Sequence, residues 1–298
     1  MCIWRTNTRR KLCYDFSKER GKNVETGKND EMLRQDFQLS HNRDPYFRTM
    51  EFHAHDFLEL YYFLDGSVTY YIEDQVYDLC PGDLLIIPAG KMQRPVIANE
   101  HAAYERMVLW ITPQYLQSID SPAGDLQKNL QKVGEHGYCV PFRGDETVFV
   151  TALLKKLLYM QKNDTDPKFC AGAVELYLWT IFRSYGVIDT THRNETQVIP
   201  QVIRYITEHF GEPLTLEDIA AEFFVSKSYL NRHFKAYTNS TVYAYIMALR
   251  LTHARRMLRE GIPAVEAGRE CGFSDYSTFY KAFKTQTGLS PQQFKSRA

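Results

Sequence analysis

The feature that most constrains this chain is an internal repeat in its last hundred residues. Displaced by 49 positions, the segment matches itself: Leu230, Phe234, Lys235, Thr238, Asn239, Thr241 and Tyr245 fall on Phe279, Phe283, Lys284, Thr287, Gly288, Ser290 and Phe294. The matched positions share physical roles. Leu230/Phe234 and Phe279/Phe283 are i,i+4 apolar pairs, each able to bury one helix face. Asn239 and Gly288 suit a left-handed stop at a helix end. Thr241 and Ser290 suit N-caps, the second followed by Pro291 at the favoured first position.

Each copy reads as a short helix, a tight turn and a second helix. In the first, Thr215 with Asp218 resembles a capping box opening a helix over 217–223, and Ser226 caps another over 227–237. In the second, a helix over 264–271 precedes Gly272-Phe273-Ser274 and a helix over 275–286. This is helix-turn-helix spacing, at about 215–237 and 264–286, with one residue more in the second turn. The stretch 242–260 between them predicts one continuous helix that fixes their separation, ended by Gly261. With the apolar pairs turned inward, the outward side chains are Lys227, Ser228, Asn231, Arg232 and Lys235 in the first copy. In the second they are Tyr276, Ser277, Thr278, Tyr280, Lys281 and Lys284. Asn can pair with an adenine edge, Arg or Lys with guanine, and hydroxyls with base or phosphate.

Charge agrees with a nucleic-acid partner at one end. The 36 basic and 36 acidic side chains of the whole chain cancel, but residues 197–298 carry 13 Lys/Arg against 9 Asp/Glu, and residues 41–196 carry 14 against 21. Six scattered cysteines without a CxxC pair argue against a disulfide framework or a zinc cluster and suit a reducing cytoplasm. No apolar run reaches membrane-spanning length, so no membrane partner is expected. Residues 1–36 are polar and read as a mobile leader.

From residue 46 to 111 short segments rich in Tyr, Phe, Val and Ile (46–52, 57–64, 67–73, 84–87 and 104–111) alternate with Gly/Asp turns, as in a sandwich or small barrel. Amphipathic helices over 147–163 and 169–186 follow, placed to pack on the barrel or to pair across a dimer. The polar stretch 188–196 reads as a linker. The expected organisation is therefore a barrel over 37–136, a helical region over 137–187, that linker, and an all-α part over 197–298 with two helix-turn-helix units.

The run from Gly272 through Lys284, continued by Thr287-Gly288-Leu289-Ser290-Pro291, resembles the signature of the AraC/XylS family of transcription regulators, and 226–235 and the helix around Leu249-Arg250 fit it too. The resemblance covers about 100 residues. It implies double-stranded promoter or operator DNA as partner, and it puts Ser228, Asn231 and Arg232, with Ser277, Thr278 and Lys281, at the family's base-contacting positions. Two departures stand out: Phe224 occupies a turn position usually held by Gly, and Ala267-Gly268 replaces an Ile-Ala pair, which weakens helix propensity slightly. Upstream, His53-Ala-His55-Asp-Phe-Leu-Glu59 and the later Gly82 to Gly90 stretch resemble the two cupin motifs, implying a double-stranded β-helix (jelly-roll) barrel. His53, His55 and Glu59 share parity and on an extended chain point the same way. Three such groups could bind a metal, form the polar wall of a small-molecule pocket, or be structural histidines. The cupin pattern places its last histidine where this chain has Gln93, a poor ligand, so no metal and no cofactor is expected. The candidate effector-binding residues are His53, His55, Glu59, Tyr61 and Gln93. The family resemblance implies a small-molecule effector, often a sugar, a homodimer, and RNA polymerase as a partner if the chain activates. A metal-dependent cupin enzyme with a DNA-binding tail is the alternative, and a barrel that merely dimerises is a third. With a linker between the two parts, effector response is expected as a shift between domain arrangements and not through direct contact.

Overall fold

A computed structural model describes residues 32, 34, 36–44, 50–97, 104–120, 125–135, 137–163, 166–185 and 198–297. Residues 1–31 of the expected leader and the whole expected linker lie outside the described residues. The first half is a two-layered antiparallel β structure. One sheet has the order β1(Phe37–Asp44)-β7(Tyr104–Ile111)-β2(Leu58–Asp65)-β5(Asp83–Ile87)-β8(Cys139–Pro141), and the other β4(Gln75–Asp78)-β3(Val68–Ile72)-β6(Gln93–Ile97).

Strand β2 explains why the five-stranded sheet is apolar on both faces. Residues 58–63 are all buried, because Glu59, Tyr61 and Phe63 face the second sheet while Leu58, Leu60 and Tyr62 face a helical layer. That layer is α3(Asp145–Lys162) and α4(Pro167–Tyr185), preceded by the short α1(Pro113–Ile119) and α2(Asp125–Gln131). Val150, Leu154, Leu157, Val174, Leu178 and Ile181 join the barrel core, so both helices pack on the barrel. The Gln161 side chain pairs with both backbone groups of Leu39, at 2.8 and 3.0 Å, and fastens α3 to edge strand β1.

Four strands are absent from the sequence reading. β1, β4, β6 and β8 are short or polar, and β6 contains Pro95, which its place at a sheet edge permits. Of the expected strand over 46–52, residues 46–49 lie outside the described residues, and 50–52 are irregular.

The second half is helical: α5(Val198–His209), α6(Leu216–Glu222), α7(Lys227–Thr238), α8(Val242–Arg259), α9(Ala264–Glu270), α10(Tyr276–Thr287) and α11(Pro291–Arg297). The start and stop signals act locally as their chemistry dictates. Thr215 and Asp218 form a reciprocal capping box, Ser226 caps α7 through Tyr229 N, and Asn239 (φ 58°) and Gly288 (φ 73°) both end their helices left-handed. α6 and α7 share one core with α5 and the first half of α8, built on Leu230, Phe234, Tyr245 and Leu249. α9 and α10 build another on Ala254, Leu258, Phe279 and Phe283. Gly268 has a packing role that propensity alone does not convey. A Cβ there would lie 2.9 Å from the Phe279 ring, so the small residue is what lets α9 and α10 close.

Candidate DNA interface and barrel interior

α7 and α10 each bury their apolar pair completely, which leaves the opposite face to solvent. Lys227, Ser228, Asn231, Arg232 and Lys235 are all exposed on α7, and Tyr276, Ser277, Thr278, Lys281 and Lys284 on α10, with Tyr280 partly buried. Neither helix carries an acidic residue. Two of these groups are already engaged. The Lys227 ammonium lies 2.6 Å from Glu217, and Thr278 donates its hydroxyl to Asp275 at 2.8 Å. Asp275 caps α10 by accepting from Thr278 N at 2.8 Å, and these bonds hold its carboxyl below the usual range. The spacing of the two units is set by α8, which runs unbroken between them.

Inside the barrel the side chains named from sequence come together unevenly. Glu59, His55 and Gln93 are buried, with Glu59 Oε2 3.2 Å from His55 Nε2 and accepting from Gln93 Nε2 at 2.9 Å. The Gln93 carbonyl accepts from Tyr70 at 2.8 Å. Gln93 therefore bridges a carboxylate and a phenol. Tyr61 hydrogen-bonds Tyr104 through their hydroxyls and stacks obliquely on Tyr70, 4.8 Å between ring centres. Burial pushes the Tyr104 phenol up to about 12 and raises Tyr61 and Tyr70 well above their ordinary value, so all three are neutral phenols. Arg106 covers the Tyr104 ring at 4.2 Å and pairs with Asp44.

His53 lies beside this cluster, its ring edge-on to that of His55, 5.0 Å between centres. It is partly buried, sits in an isolated bridge with Gln93, and turns Nδ1 to the Glu51 carbonyl at 3.0 Å. Among the described residues, no three His, Cys, Asp or Glu side chains converge as metal ligands would. Sequence reasoning missed Tyr70, Tyr104, Arg106 and Trp110. The last three share the inward parity of β7, a signal available once Glu59 is set opposite Trp110 and Tyr61 opposite Val108.

The segment that carries His55 and Glu59 also touches the DNA-binding half. Phe52, Ala54 and Met92 belong to the same core as α5, α6 and α7. Arg255 of α8 donates to the Ala54 carbonyl at 3.2 Å, and Arg259 pairs with the buried Asp56 at 2.9 Å. His253 lies under the loop at Gly90, where a Cβ would sit 3.5 Å from Nε2. Burial, then the Arg256 and Lys91 charges, holds that imidazole down to about 4, so it meets the barrel uncharged. Tyr237 of α7 meets Tyr71 edge-on, ring centres 5.0 Å apart. The expectation of communication without contact is thereby corrected. Residues 52, 54 and 56 face the helices while 55 and 59 face the barrel, so one short segment touches both.

Comparison with known proteins agrees with both halves. Residues 34–135 match the AraC-like ligand binding domain family, and residues 219–297 match a helix-turn-helix domain family. The fold and these matches define a DNA-binding transcription regulator with a ligand-binding barrel at its N-terminal side. Both halves are similar to those of AraC-family transcription regulators. It is 25% identical to the HTH-type transcriptional activator RhaS of Salmonella schwarzengrund, over 82% of this chain and 86% of that one. It is 22% identical to the Msm operon regulatory protein of Streptococcus mutans, over 79% and 83%. Among solved structures, the C-terminal domain of AraT, a response regulator from Geobacillus stearothermophilus, is 27% identical over 35% of this chain and 88% of that one, with a TM-score of 0.34.

Proposed function

We propose that this regulator reads two successive major-groove segments with α7 and α10 and responds to a small polyhydroxylated effector held in the barrel. The observation that carries the reading is the segment 52–59, whose two sides meet the barrel interior and α8. The interior offers neutral phenol donors, an amide, a carboxylate, a guanidinium and aromatic faces, which is chemistry suited to a sugar-like ligand. Glu59, Gln93 and Tyr70 satisfy one another, so ligand hydroxyls would replace those bonds and shift the segment they hold.

In this reading 37–136 is the sensor, 137–187 a helical layer, 188–196 a linker and 197–298 the DNA-binding part. The protein acts in the cytoplasm and is not an enzyme. Among the described residues, no helix is long and apolar enough to cross a membrane. Homodimerisation uses α3 and α4, where Phe149, Tyr159, Phe169, Leu176 and Trp179 are exposed on the face away from the barrel. Where the protein activates, RNA polymerase is its further partner.

A reporter assay with and without a panel of monosaccharides, run beside binding isotherms on a selected operator, tests the proposal. Arg232→Ala is expected to cost about 1–3 kcal/mol on the best site and relax preference at one base pair. Glu59→Gln is expected to lose the sugar response while apo operator binding stays near wild type. A folded Glu59→Gln protein that loses DNA binding yet still responds would sink the sensor assignment.

A further inference from the structure

A cleft of about 320 Å³ lies outside the barrel, between the β3–β4 turn, the segment after α2, and α5. Glu73, Asp74, Lys91, Glu135, Arg204 and Glu208 line it. Its walls therefore come from the barrel and from the first described helix of the DNA-binding half. Neither the recognition helices nor the Glu59 cluster contributes to it.

Glu73 sets the chemistry. It is 8% exposed, and its Oε2 accepts from Lys91 Nζ at 2.9 Å and from Tyr138 at 3.4 Å. Its other oxygen, Oε1, is buried and has no hydrogen-bond partner. The residue is held in the left-handed region (φ 52°), and its N–H donates to Met92 O at 2.8 Å. A side chain with this conformation costs free energy at a position where Gly or Asn would be easier. A buried carboxylate oxygen without a donor adds to that cost. Burial raises the Glu73 carboxyl above its usual range more than the Lys91 charge lowers it. A donor entering the cavity would satisfy the oxygen and favour its ionised form.

The surrounding charge selects the kind of donor. Four carboxylates line the cavity against two cations. Lys91 is committed to Glu73, and Arg204 stands 3.9 Å from Asp74. The space is net negative and, at about 320 Å³, has room for a small organic molecule. We propose that this cleft is a second ligand site, for a small organic ammonium compound whose nitrogen donates to Glu73 and whose body bridges the barrel and α5. Occupancy would tie the barrel to the DNA-binding half through α5, and so stabilise their docked arrangement.

The test is calorimetric titration and thermal unfolding of the full chain, with putrescine as probe and butanediol as its uncharged counterpart. Putrescine should bind saturably and raise the unfolding temperature, with the diol at least about tenfold weaker. Glu73→Gln should weaken putrescine by at least about tenfold, because a charged acceptor is replaced by a neutral one. Arg204→Ala, at a half-exposed position whose loss leaves the core intact, should tighten it by removing a competing cation. Equal binding of diol and diamine, no saturable binding of putrescine, or weakened binding in Arg204→Ala would each overturn the assignment. Should Glu73→Gln fail to fold, the Arg204 variant and the diol comparison decide.

Discussion

The two helix-turn-helix units answer the same backbone demand with opposite residues. Each turn contains one left-handed residue followed by a backbone bond that closes over the preceding helix: Val225 N to Ala220 O at 2.9 Å in the first, Phe273 N to Gly268 O at 3.1 Å in the second. The left-handed residue is Phe224 (φ 53°) in one and Gly272 (φ 79°) in the other. What differs is the surroundings. Phe224 is 97% exposed, so only its own backbone objects to a side chain. At Gly272 a Cβ would lie 2.8 Å from the Phe210 carbonyl and 2.9 Å from both Gly211 C and Arg250 Nη2. Arg250 in turn donates to the carbonyls of Phe210 and Glu212, at 2.7 Å each, pinning the loop after α5 against this turn. The second unit is thus anchored through a glycine. The first is anchored through its partner, since its core includes Phe52, Ala54 and Met92 of the barrel. A repeated motif keeps its local geometry and takes its tolerance from what each copy touches.

Gly272→Ala should give the largest effect that tests this contrast. Left-handed strain and overpacking against a fixed backbone together should cost about 2–4 kcal/mol. Urea unfolding of the full chain measures the cost, and footprinting should show the second protected patch lost before the first. A cost near zero would mean that the pinned loop yields freely and that both turns are equally tolerant.

Arg259→Ala tests the barrel side of the comparison at the next level. It strands the Asp56 carboxylate, 6% exposed, without its partner at 2.9 Å, while Arg259 itself keeps some solvent contact. Discounted for that exposure, the expected loss is about 1–3 kcal/mol. Asp56→Asn combined with Arg259→Ala should recover part of it, as a double-mutant cycle would read. Additive effects of the two substitutions would show that the contact does not hold barrel and α8 together.

Phe224→Gly should give the smallest effect and the opposite sign. Relief of left-handed strain, offset by the freer unfolded chain, should stabilise the protein by about 0.5–1 kcal/mol. Stability measured by denaturant melts, with a reporter assay in parallel, separates two outcomes. A stabilised, active variant means that the ring is an unused residue in a tolerant turn. Stabilisation with lost transcriptional response means that the exposed ring meets a partner.

How far each feature was legible follows from the range of the forces that set it. Helix starts and stops in the second half depend on side chains within four residues of the backbone groups they satisfy. Thr215, Ser226, Asn239, Thr241 and Gly288 could therefore be read directly, as could the exposed faces opposite Leu230/Phe234 and Phe279/Phe283. The barrel was legible only where strands were apolar on both faces. β1 (FQLSHNRD) and β6 (QRPVI) carry too little pattern, because each lies at a sheet edge and takes its register from a neighbour. The need for glycine at 268 was likewise invisible, since the Phe279 ring that excludes a Cβ lies eleven positions away and reaches it only when α9 and α10 pack.

By itself the sequence determined the repeat, its caps, the basic recognition faces and the class of protein, because these rest on local hydrogen bonding and on the 3.6-residue period of helices. Tertiary structure alone decided that Gln93 bridges Glu59 to Tyr70, that Asp56 meets Arg259 203 positions later, and that Glu73 and Arg204 border one cleft. Those pairings depend on how two halves of a chain dock, and no spacing along the sequence encodes a distance across space.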